Sequence, residues 1–344
     1  MHENRRVEYI DIAKFIAMSC VIFGHRIPHT GALFWPFHLP IFFIIAGMFL
    51  SQENDFTGFI VKRFRSLIVP YYFTCLLICV LSIPLAKARE YSIKAELIKW
   101  IIASLYGLGH NVVMPNGIEI PQIGAIWFLW AMFFSVIIVR LVIIAGKTVQ
   151  AVAVFMLPVV AIYSVELFWM PLSIQAACFA VPFIYAGYVY KTNKKSIKTF
   201  YNDNMTITIL LCVLVAIWGY ANYNRFSINK CIMGNGVMDI VVACADSVIV
   251  FCISIFIHKY INLIAKPCEM FGRMTIVMLS IHIIEMNLVQ WNSVIRFLGL
   301  PEGKGSKAVI AMVSYCMILT ITYIFSRIPI IANVYGIRSD DRES

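Results

Sequence analysis

Charge is what this chain has least of. Asp, Glu, Lys and Arg make up 13% of its 344 residues, about half of the roughly 25% usual in soluble domains. In their place stand 61% hydrophobic residues and a mean hydropathy of +0.83. That balance excludes an ordinary water-soluble globule and predicts an all-α, polytopic membrane protein. Acidic residues are scarcer than basic ones, 18 against 28. The excess Lys and Arg are scattered between apolar runs rather than gathered on one module, so no nucleic-acid partner is expected. Paired CxxC spacings are missing, and most of the ten cysteines lie inside apolar stretches, which argues against a zinc site, any other metal or a disulfide framework. No cleavage site follows Arg5 and Arg6, and Asp11, Lys14 and His25 interrupt the apolar stretch beyond them, so the first span is expected to be retained. Internal repeats, low-complexity segments and flanking soluble stretches are also lacking, and residues 1–344 are expected to form a single transmembrane domain.

What is present is a series of long apolar runs. A helix needs about 20 mainly apolar residues to cross a hydrocarbon core roughly 30 Å thick. Ten segments meet that requirement, near 10–28, 31–51, 66–85, 124–145, 148–168, 170–190, 205–221, 237–257, 273–291 and 307–328. The stretch from Glu96 to Leu108 is too short and polar to cross and predicts an interfacial helix. Orientation follows from Lys and Arg, which stay on the cytoplasmic side of short loops. With both termini inside, 18 of the 28 fall on the inner face, among them Arg5, Arg6, Lys62, Arg63, Arg65, Arg140, Arg338 and Arg342. Membrane lipids are therefore the first expected partner.

Ionisable groups inside a membrane are costly, so they are the candidate functional residues. The first span holds three. Asp11 and Lys14 are three apart on one helix face, and His25, eleven beyond Lys14, returns to within roughly 20° of the same direction. At a 1.5 Å rise His25 lies about 16 Å further along the axis, in the outer half of the bilayer. The alternative reading is an interfacial Asp11–Lys14 ion pair and a satisfied interior histidine. His38, just before Pro40 in the second span, and His282, with Glu285 three residues on in the ninth, fall at comparable depth. Each also has a structural alternative: a helix–helix hydrogen bond for His38 and a structural pair for His282 and Glu285. Asp239 and Asp246, seven apart, fit a pairing with Arg140 or Lys14 as well as a substrate contact. The loop Lys62-Arg63-Phe64-Arg65 either sets orientation alone or, just ahead of Pro70-Tyr71-Tyr72, offers guanidinium groups to phosphates.

Tyr9-Ile10-Asp11-Ile12-Ala13-Lys14 with the later His25, then Phe37-His38-Leu39-Pro40-Ile41-Phe42-Phe43 through Gly47, resembles the opening of the acyltransferase-3 family of bacterial membrane acyltransferases, in its fucose 4-O-acetylase-like branch. The likeness continues through Lys62–Arg65, Ile126-Trp127-Phe128-Leu129 and Phe271-Gly272-Arg273-Met274 to His282. It implies a ten-helix enzyme of the bacterial cytoplasmic membrane. Such an enzyme moves an acyl group, usually acetyl from cytoplasmic acetyl-CoA, to a hydroxyl of an extracytoplasmic sugar in a polysaccharide, glycolipid or lipid-linked oligosaccharide. By the family pattern His25 is catalytic and the residue eleven before it lies near the donor. This chain has Lys14 where many members have Arg, and Ala46 where many have Ser.

A consistent mechanism follows. Arg63, Arg65 and Arg273 hold the phosphates of coenzyme A, Asp11 and Lys14 position the donor, and His25 acts as general base or accepts the acetyl group itself. His38, His282 and Glu285 are assigned to the acceptor side. The competing class is a secondary transporter, since midplane polar groups and Pro/Gly-interrupted spans also mark transport sites.

Overall fold

The computed structural model describes residues 7–27, 30–51, 55–297, 299 and 304–337. Arg5, Arg6, Arg338 and Arg342, and the end of the first expected span at Pro28, lie outside them. Helices dominate. In chain order they are α1 (Glu8–Arg26), α2 (Gly31–Phe34), α3 (Pro40–Met48), α4 (Phe56–Arg63), α5 (Val69–Ala88), α6 (Ile93–Tyr106), α7 (Trp127–Ile144), α8 (Lys147–Leu167) and α9 (Ile174–Phe179). They continue as α10 (Val181–Thr192), α11 (Lys194–Asp203), α12 (Met205–Ala221), α13 (Val237–Tyr260), α14 (Asn262–Arg273), α15 (Thr275–Leu288), α16 (Trp291–Phe297), α17 (Lys304–Arg327) and α18 (Pro329–Val334). A two-stranded hairpin, β1 (Val112–Val113) and β2 (Glu119–Ile120), lies between α6 and α7.

Among the described residues, five continuous segments are long and apolar enough to cross a membrane: Phe56–Ala88, Trp127–Ile144, Lys147–Leu167, Val237–Tyr260 and Lys307–Arg327. Three bent pairs raise this to eight, with α10, α12 and α15 preceded by partners inclined at 54°, 94° and 73°. The protein is thus a multi-pass helical membrane protein, and the first two expected spans are built differently from the rest. Glu8, Asp11, Lys14 and Arg26 leave α1 too charged to qualify on hydropathy. The second is broken: Pro40, whose ring fixes φ and removes a donor, opens α3 at its first turn, and the helix is only nine residues long. The expected interfacial helix is α6, capped by the Ser92 hydroxyl at its start and closed by Gly107 in the left-handed region. Its Ser104 carbonyl accepts from Tyr71 Oη at 2.8 Å. Two polar helices, α11 and α14, escape a search for apolar runs because their surfaces are amphipathic.

α7 is central, with twelve of its eighteen residues buried, beginning with Trp127, Phe128, Leu129 and Trp130. α4 continues through a π-helical stretch, Phe64–Ile68, into α5. These 33 residues reach about 50 Å, longer than a ~30 Å hydrocarbon core is thick. α3 meets α10 through two glycines: a Cβ on Gly47 would strike the Ile184 carbonyl, and one on Gly187 the Ile44 carbonyl. Backbone-to-backbone packing of this kind holds short helices together where lipid offers no hydrophobic drive.

Candidate active site

α1 is unbroken from Glu8 to Arg26, so Lys14 and His25 are separated by about 16 Å along one axis. At its start the buried Asp11 carboxylate lies 2.6 Å from Lys14 Nζ and 3.8 Å from Arg273 Nε. Asp11 and Lys14 thus form an ion pair, with Arg273 as a second cation beside the carboxylate. Two cations offset the desolvation of a buried carboxylate. Arg273 joins this pair because α14 presses against α1: a Cβ on Gly272 would run into the Asp11 backbone carbonyl. His258 braces the same junction, with Nδ1 2.9 Å from Glu269 and Nε2 3.5 Å from Glu8.

The other end of α1 carries a second polar cluster. His25 is exposed, and its ring centroid lies 5.6 Å from that of His282 on α15. His282 is fully buried, and neither of its ring nitrogens has a hydrogen-bond partner among the described residues. Its Nδ1 faces Glu285 Oε2 at 3.6 Å, too long for a hydrogen bond. Glu285 is buried too, and its other oxygen accepts from both Arg26 and Trp291 Nε1. The Arg26 guanidinium also lies 5.6 Å from the centre of the Trp291 ring. Leaving a buried polar atom unpartnered costs about 1–3 kcal/mol, so His282 Nδ1, His282 Nε2 and Glu285 Oε2 form a concentrated expense in one place. Two residues away, Ser280 accepts from Thr74 at 2.8 Å, and Tyr335 Oη lies 3.2 Å from the same Thr74 hydroxyl, which pins α15 to α5 and to the turn after α18.

The C-terminal end of α15 is tied down by loops. Asn287 Nδ2 donates to the Ile123 carbonyl at 3.3 Å, and Arg89 donates to the Leu288 carbonyl at 3.0 Å. Further along, His110 packs edge-on against Trp169 at 4.4 Å and lies 3.3 Å from Asn229 Oδ1. Burial holds this imidazole below its usual pKa.

The remaining candidates separate. His38 falls in the turn between α2 and α3, its Nδ1 2.9 Å from the Phe34 carbonyl of its own segment. Among the described residues it makes no helix–helix hydrogen bond of the kind its alternative reading required. Arg63 packs over the Phe59 ring at 5.4 Å, beside Arg140, which stacks on the same ring at 4.4 Å and donates to the Ser51 carbonyl at 2.7 Å. Arg65 instead lines a cavity of about 370 Å³ with Lys62, Gly58, Ser66, Asn333 and Gly336. Two residues apart on a helix means directions about 200° apart, which is why one loop sends its two arginines to different places. Asp239 pairs with neither Arg140 nor Lys14 among the described residues; it accepts from Asn235 N at 3.0 Å at the start of α13.

Arg26 and Trp291 were not legible as site residues. Each sits at the end of an apolar run, where a charge or an indole usually marks only the membrane boundary. Their one signal is adjacency: Arg26 follows His25, and Trp291 lies six residues after Glu285.

Fold and site together define a helical membrane protein whose polar residues are ranged from one end of its first helix to the other. The chain belongs to the acyltransferase-3 family, whose model, described as an acyltransferase domain, matches residues 7–327. It is also 29% identical over 154 residues to nodulation protein NolL of Mesorhizobium japonicum (strain LMG 29417 / CECT 9101 / MAFF 303099), covering 40% of this chain. The match spans 36% of that relative's own length. No solved structure matches the chain.

Proposed function

We propose that the protein is an O-acetyltransferase of the bacterial cytoplasmic membrane. It takes acetyl from cytoplasmic acetyl-CoA and places it on a hydroxyl of an extracytoplasmic or lipid-linked sugar destined for a cell-surface glycan. The observation that carries this reading is the run of α1 from the Asp11–Lys14–Arg273 cluster to an exposed His25, about 16 Å away along one helix. The charge bias of the loops supports both termini inside, with the Lys62–Arg65 cavity on the cytoplasmic face. Coenzyme A is a polyanion, and Lys62 and Arg65 supply charge-assisted donors for its phosphates there. Asp11 and Lys14 position the donor nearer the inner surface.

At the far end His25 acts as general base. As the sugar oxygen attacks the thioester carbon, its proton passes to the imidazole, the C–S bond breaks, and the coenzyme A thiolate takes that proton as it leaves. An imidazole suits this exchange because its ordinary pKa lies near neutrality. Family membership favours acyl transfer over secondary transport.

Mass spectrometry of envelope glycans tests the assignment. Cells carrying the gene should contain acetyl esters, removable by mild base, that are missing when the gene is deleted. Identical glycans in both strains would contradict it.

A further inference from the structure

We infer that His282 and Glu285 do not bind the sugar but form a positioning relay behind His25, anchored at its far end by Arg26 and Trp291. The inference rests on the acetyl-transfer reading above. Burial decides against direct substrate contact: His282 is 0% and Glu285 2% exposed, so neither offers surface to a sugar hydroxyl, whereas His25 does.

The polar atoms are placed in sequence. Glu285 Oε1 is committed to Arg26 and Trp291, which leaves Oε2 as the oxygen facing His282 Nδ1. With its Nδ1–H directed at that oxygen, His282 has an acceptor left at Nε2, and the ring it meets is that of His25, at 5.6 Å between centroids. Both nitrogens and Oε2 are without hydrogen-bond partners among the described residues, the condition of a network that closes during turnover rather than at rest. The order carboxylate, imidazole, reacting group is the one by which a buried acid fixes the tautomer of a base and stabilises its protonated form. Here a second imidazole is interposed. The proton taken from the acceptor stays on His25, steadied by His282 and Glu285, until the thiolate accepts it, so the relay returns to its starting protonation with no net proton gained or lost. Because Arg26 is the next residue after His25, the clamp on Glu285 also fixes where the end of α1 sits against α15.

The test measures transfer from labelled acetyl-CoA to an envelope glycolipid extract from cells deleted for the gene. It uses full-length protein in proteoliposomes, comparing wild type with His282→Gln, His282→Asn, Glu285→Gln, Glu285→Asp and His282→Gln/Glu285→Gln. Folding is checked by thermal unfolding and donor binding by acetyl-CoA titration. The relay predicts that kcat falls at least about 30-fold in His282→Gln and Glu285→Gln while both KM values stay within about threefold. It further predicts that the double variant is little worse than the worse single variant, and that Glu285→Asp recovers part of the loss. A kcat within twofold of wild type in a folded His282 variant would overturn the relay. So would a raised acceptor KM at unchanged kcat, which would return these residues to sugar binding, and so would failure of every variant to fold, which would make them structural. Absence of any transfer by wild type would instead remove the acetyl-transfer reading, and the relay with it.

Discussion

The α3–α10 crossing converts directly into a measurable cost. Alanine at Gly47 places a Cβ 2.9 Å from both the Ile184 carbonyl carbon and the Tyr188 backbone nitrogen. Alanine at Gly187 reproduces this geometry against Ile44 and Met48. Carbon contacts are optimal near 3.5–4.0 Å, so these two contacts alone require the helices to part by about 0.6 Å, and the Ile184 carbonyl oxygen, which lies nearer still, requires more. Neither neighbour is a flexible side-chain tip that can swing away; both are backbone. Overpacking of this kind costs about 1–3 kcal/mol. Once the first methyl has opened the gap, the second has less to displace, so the double variant should be more stable than the sum predicts by about 0.5 kcal/mol or more. Reversible denaturant titration in detergent micelles, run as a double-mutant cycle, measures both quantities. Single variants within about 0.5 kcal/mol of wild type, or strict additivity, would refute the argument. The same displacement carries functional weight, because α3 begins two residues after His38.

Three other outcomes are expected. Arg65→Ala should raise the donor KM about tenfold through loss of a charge-assisted phosphate contact, while Arg63→Ala, whose guanidinium packs on Phe59, should raise it less; equal effects on salt-dependent acetyl-CoA binding would show the cavity is not the donor site. Arg26→Met should destabilise the fold by about 3–5 kcal/mol by leaving a buried carboxylate without its cation. Adding Glu285→Leu should restore most of that stability without restoring transfer, and a single variant as stable as wild type in thermal unfolding would count against the pair. On a background cleared of native cysteines, a cysteine at position 65 should react with an impermeant reagent only from the cytoplasmic side and one at 116 only from outside; the reverse pattern would invert the topology and displace the donor site.

The stripe on α1 was legible because charges three and eleven residues apart in an apolar helix share a direction whatever packs around them. The His282–Glu285 pairing was legible for the same reason of spacing. Their burial was not, since it depends on α1 and the loops that cover α15. Helix spacing also held the information that Arg63 and Arg65 diverge, but a loop reading of that segment concealed it, and the helix extends from Phe56. The break before α3 was hidden by its composition: a segment apolar on every side shows no periodicity to interrupt. Asn333 and Gly336, which complete the Lys62–Arg65 cavity, lie more than 260 residues further along the chain, and nothing local marks them.

The central claim is that His25 performs the transfer, and one comparison addresses it most directly. Wild type and His25→Ala are reconstituted in proteoliposomes, with labelled acetyl-CoA saturating on the side of position 65 and glycolipid acceptor from gene-deleted cells in the bilayer. The account predicts that His25→Ala inserts, binds acetyl-CoA with unchanged affinity and transfers label at least about 100-fold more slowly than wild type. Equal transfer rates for the two proteins would contradict it.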